Sequence, residues 1–199
     1  MATVTPNYSW PVPTSTDLVK DGATAIEALG DAIDATVFAL PSPGLTLINT
    51  TSFSGVTSVS LPNGTFTATY DSYILFLNYS TSVLVDTTFR TRLAGVDASD
   101  STYRYHANEF TTAFVNQSSA ASQSSGYIAA VDTQHNAMMQ IYNIALASNT
   151  RYESNGIIKD RLGQFSTGTH INATAYDSCT FFRSTGTMTG YISVMGVAK

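Results

Sequence analysis

Residues 89–93 read Phe89-Arg90-Thr91-Arg92-Leu93, and this short alternation decides the fold class. The two arginines point to one face of an extended chain while Phe89 and Leu93 point to the other, which is the period of a half-buried β-strand. Short runs rich in Thr, Ser, Tyr, Phe, Val and Ile, separated by turn residues, continue through 44–199. This region is therefore predicted to be an antiparallel, jelly-roll-like β-sandwich.

The same pattern predicts individual strands within this region. They are 45–50, 56–61, 66–70, 73–79, 87–93, 102–106, 126–131, 138–147, 151–158, 170–175, 180–183 and 188–197. The last run carries apolar bulk on both faces, so it is expected to be central in a sheet or at a subunit contact. Residues 116–126 are Ser-rich and of low complexity, and are predicted to form a mobile surface loop.

Before Gly44 the chain has a different character. Three prolines between positions 6 and 13 exclude a regular helix, because proline lacks the amide donor and restricts the residue before it. This part is predicted to be an extended arm. Trp10, the only tryptophan, would lie either across a neighbouring surface or over its own helix.

A helix is predicted to follow the arm. The run Thr14-Ser-Thr-Asp17 offers N-cap side chains, Asp17 and Asp21 would lie near the positive helix end, and Pro41 would stop the helix. Apolar residues recur at helical spacing and form one stripe: Leu18, Val19, Ile26, Leu29, Ile33, Val37 and Leu40. A parallel bundle of several copies, or packing on the sandwich, would bury it. The chain therefore divides into an attachment or oligomerisation part, 1–43, and a β-domain, 44–199.

The bulk composition excludes several function classes. Charged residues make up only 12% of the chain, hydrophobic residues 43%, and the net charge is −5. Nucleic-acid binding has no electrostatic basis in so acidic a chain. Apolar runs are only strand-sized and the N-terminus has no secretory signal pattern, so neither membrane insertion nor export is expected. Synthesis and assembly in a cytoplasm are predicted.

Residues able to carry catalysis or bind metal are sparse. Cys179 is the only cysteine and is predicted to be buried, and the three histidines, at 106, 135 and 170, have no metal-ligand spacing. No catalytic, cofactor or metal site is therefore predicted. The remaining enzymatic alternative is glycan cleavage by a carboxylate pair, drawn from Asp97, Asp100, Glu109, Asp132, Glu153, Asp160 and Asp177.

Tyrosine-bearing segments suggest a binding surface. Tyr103, Tyr105 and Tyr152 lie near Asn, Arg, Glu or Ser in the sequence. Tyrosine with such polar neighbours is common on shallow sugar- or protein-binding surfaces. They are the candidate ligand-facing residues. The competing interpretation is that tyrosine is simply a good strand residue.

The N-terminal residues resemble a known family. The run Tyr8-Ser-Trp-Pro-Val-Pro-Thr-Ser-Thr-Asp-Leu-Val-Lys-Asp-Gly-Ala-Thr-Ala-Ile-Glu-Ala-Leu-Gly-Asp-Ala-Ile-Asp34 is similar to the opening of tail-fibre and minor structural proteins of tailed bacteriophages. There a Trp-Pro segment leads into an Asp-Leu-Val-x-Asp-Gly-x-x-Ala-Ile-x-x-Leu-Gly-x-x-Ile-Asp helix. Residues 66–73 and 187–197 are more weakly similar to an early strand and to the closing strand of those proteins.

The resemblance implies a virion protein, commonly a homotrimer, whose N-terminus attaches to other virion proteins of the tail, neck or capsid. The sandwich would face outward, where a host glycan or protein could bind, and no catalytic residue or cofactor is implied. A head fibre or capsid decoration protein is the alternative, and a glycan depolymerase ranks lower. The attachment or oligomer contacts are assigned to Trp10, Leu18, Ile26, Leu29 and Ile33.

Overall fold

A computed structural model of the chain describes residues 3–12, 18, 21–39, 44–110, 115–129, 133–158 and 161–198. The chain divides into two compact units, residues 1–43 and 44–199, at the place where the composition changes. The first unit holds a small hairpin and one helix, and the second holds the other strands. Each unit is described separately below.

In the first unit, strands β1 (Thr3–Val4) and β2 (Pro11–Val12) pair antiparallel. Helix α1 (Gly22–Ala39) follows, so it begins directly after Asp21, and Leu18 lies before it. The predicted caps at positions 14–17, together with positions 19, 40 and 41, lie outside the described residues. The helix is described as far as Ala39, and the stop predicted at Pro41 lies outside the described residues.

The second unit is built from thirteen strands among the described residues. They are β3 (Leu45–Val56), β4 (Ser58–Ser60), β5 (Ser72–Thr81), β6 (Thr87–Leu93), β7 (Val96–Asp97), β8 (Tyr103–Phe110), β9 (Val115–Gln123), β10 (Gly126–Ala129), β11 (Gln134–Tyr142), β12 (Thr150–Ile158), β13 (Arg161–His170), β14 (Ser178–Phe182) and β15 (Met188–Val197).

These strands form two antiparallel sheets. The larger sheet has eight strands in the order β3-β15-β5-β11-β12-β13-β8-β9, and the smaller has the order β10-β6-β14-β4 with β7 beside β6. The chain crosses repeatedly between the sheets, as it does in sandwiches with Greek-key connections. The predicted mainly-β fold with an antiparallel sandwich is confirmed.

The core lies between the sheets. Phe89 on β6 of the smaller sheet meets Tyr152 on β12 of the larger sheet edge-on, with 4.8 Å between ring centroids. Phe89 also packs against Tyr103 and Phe181. Burial on β5 alternates strictly, with Tyr73, Leu75, Leu77 and Tyr79 all buried. Inward faces of both sheets therefore share one hydrophobic cluster.

The deciding run 89–93 behaves largely as its alternation predicts. Phe89 and Thr91 are buried, whereas Arg90 and Arg92 face away from the core. The exception is Leu93, which is exposed because the strand ends there and turns into the short hairpin with β7. Strand β15 is central, between β3 and β5, which confirms one of the two expectations for that run.

Three local predictions are wrong. The run 116–126 is expected to be a loop, but its residues 116–123 belong to the edge strand β9, because backbone hydrogen bonds to β8 do not depend on side-chain type. Residues 66–70 form turns, with the buried Phe66 held against Tyr73. A strand is expected at 170–175, but β13 ends at His170 and residues 171–175 form no strand.

Candidate functional site

Four side chains form a hydrogen-bond network between the sheets, in which Thr91, Tyr103 and His170 are buried and Asp100 is exposed. The Thr91 hydroxyl lies 3.0 Å from His170 Nδ1, and His170 Nε2 lies 3.0 Å from Asp100 Oδ1. The Tyr103 hydroxyl accepts a hydrogen bond from the Thr91 amide and donates one to the Ala98 carbonyl. The Tyr103 ring stacks on the His170 ring with centroids 3.9 Å apart. Thr91 belongs to the smaller sheet and His170 to the larger, so the network joins them.

A hydroxyl, an imidazole and a carboxylate in a row are also the parts of a nucleophilic catalytic site. Here Thr91, Tyr103 and His170 have no exposed surface. A substrate could not reach that hydroxyl. The arrangement is therefore suited to holding the two sheets in register, and a neutral imidazole satisfies both of its partners.

Protonation of His170 should make the sandwich sensitive to acid. Burial lowers the pKa of His170 below its ordinary 6.5, even though Asp100 acts to raise it. Burial acts to raise the pKa of Asp100, but hydrogen bonds from Thr102, His170 and Asn172 together lower it. For both groups the pKa is lower in the folded chain, so the unfolded chain binds more protons. The stability that each group contributes is therefore fully present above its pKa in the unfolded chain. It is lost as the pH falls through its pKa in the folded chain.

We expect the free energy of unfolding to fall between pH 7.5 and pH 5.5, the window that the lowered pKa of His170 defines. Urea unfolding at both pH values measures it. In His170→Gln the free energy of unfolding should depend less on pH than in the unsubstituted chain. The control His106→Gln changes an exposed histidine and should keep the pH dependence of the unsubstituted chain. Equal pH dependence in the unsubstituted chain and His170→Gln would show that His170 does not carry the effect.

The structure corrects the ligand-facing assignment of Tyr103, whereas Tyr105 and Tyr152 are among the residues that border the cleft described below. Tyr103 has no exposed surface and Tyr152 is 2% exposed, with both rings in the core. Tyr105 is half-buried and stacks on Tyr127, with centroids 5.1 Å apart. The residues that face outward on β8 are their neighbours, Arg104 and His106. The period-two rule applied at 89–93 would have found this in the sequence, because Tyr103 and Tyr105 share one parity.

A cleft of about 790 Å³ lies over the outer face of the larger sheet, where strands β8, β13, β12 and β11 run side by side. One row across it consists of Arg104, Thr169, Arg151 and Tyr142, each directly opposite the next. The adjacent row contributes His106, Thr167 and Glu153. Asn143, Asn149 and Ile171 line the cleft where the strands end.

The electrostatics of this cleft are mixed but lean positive. The Tyr142 hydroxyl donates to Glu153 Oε1 over 3.3 Å. Burial, followed by the Glu153 charge, raises the pKa of Tyr142, so the phenol stays protonated and available as a donor. The side chains of Arg104 and Arg151 are exposed and form no hydrogen bond or ion pair with any described residue, although their backbones pair in the sheet. Two guanidinium groups without a partner among the described residues thus share the cleft with one carboxylate.

The acids considered for glycan cleavage each have a partner of their own. Arg92 pairs with Asp97 at 3.2 Å, the Tyr127 hydroxyl donates to Glu109, and the Ala94 amide donates to Asp177. Asp100 and Glu153 are bound as described above, and positions 132 and 160 lie outside the described residues. Within the described part of the chain, no group of three or more His, Cys, Asp or Glu could hold a metal ion.

Of the cysteine and the two remaining histidines, Cys179 and His135 are buried and His106 is exposed. Cys179 is buried, as predicted for a small hydrophobic residue, and burial raises the pKa of its thiol well above the usual range. His135 is also buried and stacks on Tyr79 with centroids 4.7 Å apart. His106 is the exposed histidine, and it lies in the cleft.

In the first unit, the arm covers one side of its own helix. Trp10 Nε1 donates to Thr36 Oγ1 over 2.9 Å, and Tyr8 stacks on Trp10. This is one of the two roles considered for Trp10. Leu29 and Ile33 are half-buried on the helix.

The adjoining side of the helix is uncovered within its unit. No residue of α1 is buried, and Ile26 and Val37 are 66% and 58% exposed. Leu18, before the helix, is also exposed. At 100° per residue, Ile26, Ile33 and Val37 lie on one face with Gly30. This apolar face, on which Ile26 and Val37 are exposed and Ile33 is half-buried, is called the helix stripe below.

Comparisons with known proteins add little. The chain matches no protein-family model and no curated protein. Among solved structures, "Crystal Structure of A. japonicus CB05" is similar at 9% sequence identity and a TM-score of 0.28, over 85% of this chain and 28% of that one. The chain thus spans about a quarter of that structure's length, and a similarity this weak carries no argument. Among the described residues, no helix is long and apolar enough to cross a membrane.

Proposed function

We propose that the chain is a non-enzymatic structural subunit of a tailed-bacteriophage particle, a short fibre or spike that attaches through residues 1–43 and presents the sandwich outward. The observation that carries the proposal is the helix stripe. In this helix of 18 residues, Ile26 and Val37 are exposed. Leaving these apolar side chains in water is unfavourable compared with burying them. A partner surface, in a second copy or in another virion protein, would bury them.

Two further observations support the proposal. The run from Tyr8 to Asp34 resembles the opening of tail-fibre and minor structural proteins of tailed phages. In the second unit, Leu47, Phe76, Met138 and Tyr191 are exposed on the outer face of the larger sheet, and charged residues are only 12% of the chain. Apolar, weakly charged surface is typical of protein buried between copies. We propose a homotrimer with the helix stripe at its axis.

A head fibre or capsid decoration protein would use the same attachment unit at another place on the particle. A glycan depolymerase is disfavoured by the acids, because the described candidates are each bound to a partner. Retaining and inverting glycosidases instead need two carboxyl groups facing one bond.

The helix stripe is tested by introducing charge into it. Ile26→Glu with Val37→Glu should convert the trimer to a monomer, because carboxylates cannot be buried unpaired at an interface. Light scattering of the full chain measures the mass, and circular dichroism checks that both forms are folded. The matched control is Ala28→Glu with Ala35→Glu, which places the same charges on the opposite, exposed face. A monomeric unsubstituted chain, or equal masses for both variants, would contradict the trimer.

Location on the particle is tested in a phage that encodes the chain. Particles purified on a density gradient should retain the unsubstituted chain and the Ala28→Glu, Ala35→Glu control in an immunoblot, and should lose the Ile26→Glu, Val37→Glu variant. Absence of the unsubstituted chain from purified particles, with the chain present in the lysate, would overturn the virion proposal.

A further inference from the structure

Arg104 and Arg151 stand out from the other arginines whose side chains the structure describes. Arg92 pairs with Asp97, Arg90 donates to the Ser124 carbonyl, and Arg183 donates to Thr87 and Val83. Arg104 and Arg151 have no such partner among the described residues, although the chain is acidic, with a net charge of −5. Both guanidinium groups are exposed and line the same cleft, so they are available to an anionic ligand, which guanidinium binds by charge-assisted hydrogen bonds.

The register brings these two arginines towards one point. Arg104 and Arg151 lie directly opposite Thr169 from its two neighbouring strands, so their backbones are separated by two strand spacings, about 9–10 Å. Both side chains project from the same outer face into the cleft. An arginine side chain is long enough for two guanidinium groups at this spacing to reach a single acidic group placed above Thr169.

The rest of the cleft fits a polyhydroxylated molecule. Thr167 and Thr169 supply hydroxyl groups, Asn143 and Asn149 supply side-chain amides, and Glu153 supplies a carboxylate acceptor. Ile171 and the ring of Tyr142 provide apolar contact. The volume of about 790 Å³ is in the range of sites for small organic ligands and is far larger than an inorganic ion needs.

We propose that this cleft binds an acidic saccharide, with the carboxylate of a uronic-acid residue held by Arg104 and Arg151. The sugar hydroxyl groups donate to Glu153 and exchange hydrogen bonds with Thr167, Thr169 and the two asparagines. Guanidinium and carboxylate groups match in planar, bidentate geometry, which selects the acidic sugar over a neutral one. The inference rests on the proposed function only in assigning the saccharide to the host surface. The cleft itself is formed by residues of the second unit alone.

Calorimetric titration of the full chain tests the cleft with four probes. They are trigalacturonate, a hyaluronan hexasaccharide, neutral maltotriose and a pentaglutamate peptide. We expect at least one uronate oligosaccharide to bind, and maltotriose to bind at least about tenfold more weakly. Arg104→Ala and Arg151→Ala should each weaken binding of that oligosaccharide about tenfold or more, as expected for a lost charge-assisted hydrogen bond. Added salt should also weaken it.

Arg90→Ala is the matched control, because it removes one positive charge from the smaller sheet outside the cleft. It should leave affinity unchanged. The proposal is overturned if neither uronate oligosaccharide binds at millimolar concentration, if maltotriose binds equally well, or if Arg90→Ala weakens binding as much as the cleft variants. Tighter, arginine-dependent binding of pentaglutamate would assign the cleft to an acidic peptide instead.

Failure of this proposal is distinguishable from failure of the proposed function. The Arg104→Ala and Arg151→Ala chains should keep the mass of the unsubstituted chain and stay on purified particles. Loss of saccharide binding with mass and particle retention intact would locate binding in the cleft alone. Saccharide binding by a chain that is monomeric and absent from particles would leave the cleft standing and overturn the virion proposal.

Discussion

Phe89→Ala is expected to lower the free energy of unfolding of the sandwich by about 4 kcal/mol, in the range for truncating a fully buried phenylalanine. Phe89 has no exposed surface and contacts rings from both sheets, including Tyr152 of the larger sheet. Truncation removes this contact between the sheets and leaves a cavity at the centre of the core. Urea unfolding, monitored by the far-UV circular dichroism signal of the β-sheets, measures the change in the free energy of unfolding.

The control for Phe89→Ala is the same truncation on the surface. Phe110→Ala, at the end of β8 where Phe110 is 42% exposed, should cost less than about 1 kcal/mol. A Phe89→Ala effect as small as that of Phe110→Ala would mean that the sheets do not pack through Phe89.

Gly190→Ala is expected to destabilise the sandwich by about 3 kcal/mol or more, or to prevent soluble expression. A β-carbon at position 190 would lie 2.2 Å from the Asn78 carbonyl oxygen and 2.6 Å from the Tyr79 α-carbon. Both atoms are backbone of β5, and β15 is paired to β5 along nine positions. The neighbouring strand cannot withdraw without breaking that ladder, so the overlap is not relieved by a side-chain rotation.

Gly163→Ala in β13 is the matched control for Gly190→Ala, because its β-carbon would meet its nearest neighbours at 3.7 and 4.0 Å, which are ordinary contacts. It should change the free energy of unfolding by less than about 1 kcal/mol. Urea unfolding and soluble yield of the two variants are compared side by side. Similar stabilities would show that β5 and β15 are not held as closely as the structure describes.

The cleft illustrates what a single sequence can and cannot reveal. Period-two alternation separates the inward Tyr103 and Tyr105 from the outward Arg104 and His106, so the correct face of β8 could be read from the sequence. That Arg151 faces the same cleft could not be read from it. The two arginines are 47 positions apart and meet only because β13 pairs with both β8 and β12.

The sequence by itself determined the fold class, the division near Gly44 and the helix with its apolar stripe. These depend on local periodicity and on proline and glycine chemistry, which act within a few residues. Tertiary structure alone decided that most of the Ser-rich run 116–126 belongs to the edge strand β9, and that Arg104 and Arg151 share a cleft. Strand pairing decides such features through backbone hydrogen bonds between residues far apart in the chain, and those bonds leave little trace in side-chain identity.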